Sequence, residues 1–359
     1  MTSPLPPSIP STHSAIAITT PGEPLHLTTL PTIPPSPSEA LIHVTHTAST
    51  PLDMHRATGG LFLNNTTTTT TPSGTTVTTR SPFIMGTTFG GTVVALGTSP
   101  TTTTTTTTSS HLAVGDRVVG FVQDGAPREA GFQEYVTVPV WKVSRVPHGM
   151  SVQAAVTVPT NLVTALHTVQ AELGLDVPWP VPAPVSSEGV GSGEGARAKG
   201  KDGEVVLVWG AASSVGMYVV QVLRFWGYRN VLAVAARKHH GVLEGMGARK
   251  CFDYRDGDVV GEIERYLDVE GAAGSREEGR PRVPYIVDCI GSREGTLRPL
   301  TKLAERGSKV AVMLPVINVH ADGDQKPELE MDVSKALPGQ WKDGVDLRGV
   351  RTFLYHEVC

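Results

Sequence analysis

Seven consecutive residues, Gly210-Ala211-Ala212-Ser213-Ser214-Val215-Gly216, have the types and order needed to cradle an anion. They follow an apolar run at 205–209 and lead into a helix-period stretch from about 215 to 225. Small side chains let the backbone approach a pyrophosphate, and the free N–H groups of a helix start point a positive dipole end at it. The predicted cradle residues are Gly210, Ala212, Ser213, Ser214, Val215 and Gly216. The spacing departs from Gly-x-Gly-x-x-Gly because Ala212 stands at the middle glycine. Small-residue turns also join strands to helices where nothing binds, so the turn alone leaves a purely structural reading open.

The residues after the second strand of such a unit select the dinucleotide. An NAD site wants Asp or Glu there for the ribose hydroxyls. This chain offers Ala235-Ala236-Arg237-Lys238-His239-His240, with no acid. Arg237 and Lys238 would neutralise a 2′-phosphate, which favours NADPH over NADH; otherwise they are a solvated helix start.

Little else in the sequence suits catalysis. The three cysteines, Cys251, Cys289 and Cys359, are odd in number and scattered, which argues against a disulfide framework and a Cys-rich zinc site. Cys289 follows a strand and reads as core. Of the histidines, His43 and His46 fall in a strand-like stretch and His239-His240 at a helix start. None is spaced with Cys or a carboxylate as a ligand set, so no metal is expected.

Those residues need elements to hold them. From residue 204 strands alternate with helices: strands at 205–209, 231–235, 250–252, 285–288 and 309–313, with helices between them, predict a parallel doubly wound sheet. Residues 350–355 are a candidate sixth strand. The first part, from residue 15, reads as short strands. Threonine runs at 66–71 and 101–108 have nothing to bury and read as solvated insertions, and 64–80, 98–111, 178–203 and 268–282 are expected to be disordered on composition. The net charge of −4 implies no nucleic-acid partner. No apolar run approaches the roughly 20 residues of a membrane span. The Pro/Ser/Thr-rich start resembles neither a secretory signal nor an Arg-rich presequence, so a cytoplasmic protein is expected.

Taken in order, these segments resemble the medium-chain dehydrogenase/reductase superfamily, in its zinc-free fungal branch of quinone-oxidoreductase-like enzymes and trans-acting enoyl reductases. Thr50-Pro51-Leu52-Asp53 is similar to that family's Asn-Pro-x-Asp turn. PFIMGTTFGGTVVALG, VGDRVVGF, GFQEYV, NLVTALHTV, WGAASSVG, LEGMGARKCFDY and YIVDCIG follow in the family's order. Thr50, Thr87 and Thr88 stand where zinc-dependent members carry Cys, His and Glu. The resemblance implies an α/β chain with a loose tail at 1–14, a β-rich GroES-like substrate domain at 15–165 and a Rossmann cofactor domain at 166–317. A stub at 318–359 follows, with the family's return segment missing and a truncated, inactive member as one consequence. The implied chemistry is hydride transfer from NADPH to an activated C=C, in an enone or a small or carrier-bound enoyl thioester, or to a quinone. A nucleotide-binding pseudoenzyme is the alternative. Further cofactor contacts are implied at Thr50, Thr164, Tyr254, Ile290, Met313 and Leu314. The catalytic candidates are Thr164 and His55, which stands where quinone-reducing relatives place a Tyr; otherwise His55 is a surface turn residue and solvent gives the proton. A monomer or homodimer is expected.

Overall fold

In Thr12–Ile18 His13, Ala15 and Ala17 point inward while Thr12, Ser14 and Ile16 face solvent, the period-2 signature of a half-buried strand. The computed structural model describes residues 9–63, 65–70, 76–98, 112–122, 126–178, 203–269, 279–322 and 325–351. The chain divides into two units, Met1–Thr160 and Asn161–Cys359.

The first unit is mostly antiparallel sheet. Its elements are β1 (Thr12–Ile18), β2 (His26–Pro31), β3 (Glu39–His46), α1 (Pro51–Gly59), β4 (Thr66–Thr70), β5 (Thr76–Arg80), β6 (Phe83–Ile84), β7 (Thr88–Leu96), β8 (Arg117–Phe121), β9 (Tyr135–Pro139), β10 (Val143–Arg145) and α2 (Val152–Ala155). Five strands pair in the order β10-β8-β7-β3-β9 around a core of Ile42, Phe89, Val93, Val118, Val136 and Val138. A second sheet runs β2-β1-β6.

The threonine run at 66–71 departs from expectation. Thr66–Thr70 pairs antiparallel with Thr76–Arg80, from Thr66↔Arg80 to Thr70↔Thr76. β-branched side chains favour the extended backbone even without a core, and the Thr68 and Thr78 hydroxyls meet across the strands at 3.3 Å. The base of the hairpin is closed by the buried Asn65, whose Nδ2 donates to Thr19 O and Ser81 O at 3.1 and 2.8 Å. The run at 101–108 and nearly all of 178–203 lie outside the described residues.

The second unit holds a six-stranded sheet, flanked by helices. After α3 (Pro159–His167), which begins at the junction of the units, come β11 (Val206–Trp209), α4 (Ser214–Phe225), β12 (Val231–Val234), α5 (His240–Met246), β13 (Lys250–Phe252), α6 (Val259–Val269), β14 (Tyr285–Asp288), α7 (Arg298–Leu303) and β15 (Lys309–Met313). The small pair β16 (Val316–Val319) and β17 (Glu328–Glu330) precedes β18 (Asp346–Val350). The order β13-β12-β11-β14-β15-β18 is parallel throughout, the doubly wound arrangement expected of alternating strands and helices. Alternate strand residues feed two cores. Val206, Val208, Val231 and Ala233 pack with Val219, Val220 and Leu223 of α4. Leu207, Trp209, Leu232 and Val234 pack with Ile263 and Leu267 of α6 and Leu300 and Leu303 of α7.

Two expectations are corrected in this unit. The sixth strand is Asp346–Val350 rather than 350–355; its polar Asp346 and Arg348, bonded to each other at 2.8 Å, hide it from a hydrophobicity reading. The edges of the 268–282 insertion are ordered: α6 runs to Val269, and Arg282 bonds Glu305 at 3.0 Å and Glu264 at 3.2 Å. Among the described residues no helix is long and apolar enough to cross a membrane.

Candidate cofactor site

The chain leaves β11 at Trp209 and reverses through Gly210, whose φ of +73° is a left-handed conformation that glycine adopts without strain. A Cβ there would lie 2.5 Å from Ile290 Cγ1. The Gly210 and Ala211 N–H groups both donate to Val234 O, at 3.0 and 3.1 Å, which ties the turn to the end of β12. Ser213 caps α4: its Oγ accepts the Gly216 N–H at 3.1 Å. Gly216 lets the first helical turn sit on the loop, since a Cβ would come 2.6 Å from Gly210 O. The result is a 12-residue helix whose N-terminus abuts a small-residue turn at the carboxyl end of the sheet.

A cleft of about 300 Å³ opens over this turn. Gly210, Ala212 and Ser213 form one side. Ala235, Ala236, Lys238 and His239 enter after β12, Tyr254 and Arg255 after β13, and Ile290 after β14. The Arg255 guanidinium lies over the Tyr254 ring, 5.2 Å from its centroid. Two cations therefore stand at this cleft, Lys238 and Arg255; the second was missed by sequence reasoning, although it directly follows Tyr254.

Arg237 departs from expectation. Its side chain is 74% exposed, bonds Asp256 at 2.9 Å and lies 3.9 Å from Asp253. It lines a neighbouring polar cleft with His240, Lys250, Glu262 and Arg265. Its guanidinium is thus engaged by carboxylates rather than offered to the cleft over Gly210.

Ile290 is fixed from below by Asp288. This fully buried carboxylate accepts the Ile290 and Gly291 N–H groups on Oδ1, at 2.9 and 3.1 Å, and the Thr296 hydroxyl on Oδ2 at 2.5 Å. Burial pushes its pKa up to about 6 against the pull of these hydrogen bonds. Burial and the neighbouring Asp288 charge push the Cys289 thiol up, and burial raises Cys251 to about 11, so neither is a ready thiolate.

The described part of the first unit includes most of a segment matched over residues 36–148 by the alcohol dehydrogenase GroES-like domain. The trans-enoyl reductase tazE of Aspergillus terreus is 31% identical over 153 residues, 42% of this chain and 44% of that protein. The CurK enoyl reductase structure superposes with a TM-score of 0.65 at 16% identity, covering 96% of this chain and 82% of that one. A mycobacterial structure complexed with NADPH superposes at 0.59 with 21% identity, covering 96% and 83%. The chain is similar to these alcohol dehydrogenase-type reductases, in sequence over the GroES-like segment and in fold over nearly its whole length. It spans about half the length of the curated relatives it matches.

The other site residues of the second unit expected from the sequence are not part of the cleft lining. Ser214 and Val215 are the first helical residues behind the turn. Met313 ends β15, and the Leu314 N–H donates to Val350 O at 3.4 Å. Thr164, on α3, is buried and its carbonyl accepts the Thr168 hydroxyl at 2.7 Å. In the first unit, Thr50 caps α1, its N–H and hydroxyl both donating to Asp53 Oδ2 at 2.8 and 2.9 Å. His55 is buried within α1, not a surface turn residue. Among the described residues no three His, Cys, Asp or Glu side chains gather as a ligand set.

The cleft suits a dinucleotide on its own geometry. A Cβ at Gly210 or Gly216 would collide with the surrounding atoms, the helix start supplies N–H groups, and both basic residues stand beyond β12 and β13. No acid lines it.

Proposed function

We propose that this chain is an NADPH-dependent oxidoreductase of the zinc-free enoyl reductase and quinone oxidoreductase-like branch, reducing an activated C=C or a quinone. The observation that carries the reading is the cleft over Gly210, with Lys238 and Arg255 beyond the ends of β12 and β13 and, among the described residues, no carboxylate in its lining. The similarity to tazE, a trans-enoyl reductase, and to the fold of a structure complexed with NADPH supports it. Bound here, NADPH would supply hydride to the β-carbon of an unsaturated carbonyl. The α4 N-terminus would take the pyrophosphate, Lys238 and Arg255 the 2′-phosphate, and Ile290 and the Tyr254 ring would cover the adenosine portion. His55 is the candidate proton donor in the first unit, and Thr164 a candidate beside the nicotinamide.

The experiment is a panel of enones, enoyl thioesters and quinones mixed with the protein and NADPH, followed at the nicotinamide absorbance band. The expected result is oxidation of NADPH that depends on both protein and at least one acceptor, without added zinc. Tight NADPH binding with no oxidation across the panel would identify a nucleotide-binding protein that has lost the reaction.

A further inference from the structure

We propose that Asp253 is the positioning residue that sets the preference for the phosphorylated cofactor, because one carboxylate ties together the two loops that carry Lys238 and Arg255. The inference rests on the NADPH reading above. Asp253 follows the last residue of β13, a strand of three residues whose one sheet partner among the described residues is β12. So short a ladder leaves the following loop weakly held by backbone pairing alone. Asp253 is 7% exposed, and its two oxygens divide between the loops. Oδ2 accepts the Arg237 N–H at 3.0 Å, and Oδ1 accepts the Arg255 N–H at 3.0 Å. Arg237 opens the short 3-10 turn Arg237–His239, so the first bond fixes the backbone that carries Lys238. The second fixes Arg255 itself, already stacked on Tyr254.

The same arrangement keeps the acid from opposing a phosphate. An acid at the end of β12 would repel the 2′-phosphate and take the ribose hydroxyls instead. Asp253 sits one strand further out, with both oxygens occupied by N–H donors and the Arg237 guanidinium 3.9 Å away. The Arg255 N–H first, then the Arg237 N–H and both guanidinium charges, hold its carboxyl below the ordinary range, so it is ionised wherever the protein is folded near neutrality. Asp253 thus works through Lys238 and Arg255 without touching the cofactor.

The test compares the parent with Asp253→Asn, Arg237→Pro and Arg237→Ala, titrating each with NADPH and with NADH by fluorescence. Arg237→Pro removes the N–H donor while leaving Asp253 in place; Ala236, at φ −60° and ψ 138°, has the backbone that a following proline requires. Asp253→Asn and Arg237→Pro should each weaken NADPH roughly tenfold, the size of one charge-assisted hydrogen bond, and NADH by less than about twofold. Arg237→Ala keeps the N–H and should change the ratio less than about threefold. In an Arg255→Ala background, Asp253→Asn should cost clearly less than it does alone, since half its action is gone. An unchanged NADPH-to-NADH ratio in both Asp253→Asn and Arg237→Pro would overturn the proposal, and so would an equal loss of both cofactors. A parent with no preference for NADPH would instead overturn the reading on which it rests.

Discussion

Replacing Gly216 with alanine is expected to weaken NADPH binding a hundredfold or more and to lower the unfolding temperature. The added Cβ would stand 2.6 Å from Gly210 O, 2.7 Å from Ala211 Cα and 2.8 Å from Ala211 C. All three are backbone atoms, so no rotamer change relieves the contact. α4 must shift away from β11, which strains the Ser213 cap and displaces Val219, Val220 and Leu223 from the core they share with the sheet. Overpacking of this kind costs about 1–3 kcal/mol of stability. Affinity suffers more, because the N–H groups of the helix start lose their aim at the anion. Ser214→Ala, at an exposed position on the same turn, should change neither property appreciably. Titration and thermal melting of the two variants check this; Gly216→Ala binding within about threefold of the parent would mean that the turn does not hold the pyrophosphate.

A second large effect is expected at Asp288, where stability should depend on pH in the sense opposite to an ordinary ion-paired carboxylate. Burial raises its pKa from 3.8 to about 6. Between these values the unfolded chain has released the proton that the folded chain retains. The contribution of Asp288 is therefore full below about pH 4 and is lost as the pH rises through about 6, a change of about 3 kcal/mol at 1.36 kcal/mol per unit. The surrounding bonds accommodate the neutral form. A protonated Oδ2 can donate to Thr296 Oγ1, whose own hydrogen turns to Ser292 O at 3.0 Å, while Oδ1 keeps both N–H groups. Asp288→Asn reproduces that pattern at every pH. It should match the parent at about pH 4 and exceed it by about 2–3 kcal/mol above about pH 7. Asp288→Ala leaves the Ile290 and Gly291 N–H groups unpaired, should be least stable relative to the parent at about pH 4, by about 1–3 kcal/mol, with the deficit shrinking as the pH rises through about 6, and should loosen the cleft at Ile290. Denaturant unfolding across this pH range measures all three; an Asp288→Asn protein less stable than the parent at high pH would show that the hydrogen bonds outweigh burial.

The parallel sheet was legible because its strands are apolar on both faces, as at 206–209 and 231–234, and lie between helix-period stretches. β18 was displaced in the reading because Asp346 and Arg348 sit at the sheet edge and mask its pattern. The threonine hairpin was lost for the converse reason: its pairing rests on backbone preference and cross-strand hydroxyls, not on a buried face. At the cleft, Gly210, Ala212 and Ser213 were legible from residue size and position. Arg237 lines the neighbouring cleft and Arg255 the one over Gly210, because charge at a strand end says nothing of which guanidinium a carboxylate claims; Asp256, 19 residues on, bonds the Arg237 guanidinium, and Asp253 lies 3.9 Å from it. Asp288 was passed over as part of a strand, since its work is done by backbone N–H groups that carry no sequence signature.

The most direct measurement is a fluorescence titration of the parent, Lys238→Ala and Arg255→Ala with NADPH and NADH at fixed ionic strength. The parent should hold NADPH at least about tenfold more tightly than NADH, and each substitution should weaken NADPH roughly 10- to 150-fold while moving NADH by no more than about twofold. A parent that binds NADH as tightly as NADPH, or variants that both retain NADPH at the parent's affinity, would contradict the assignment of this cleft.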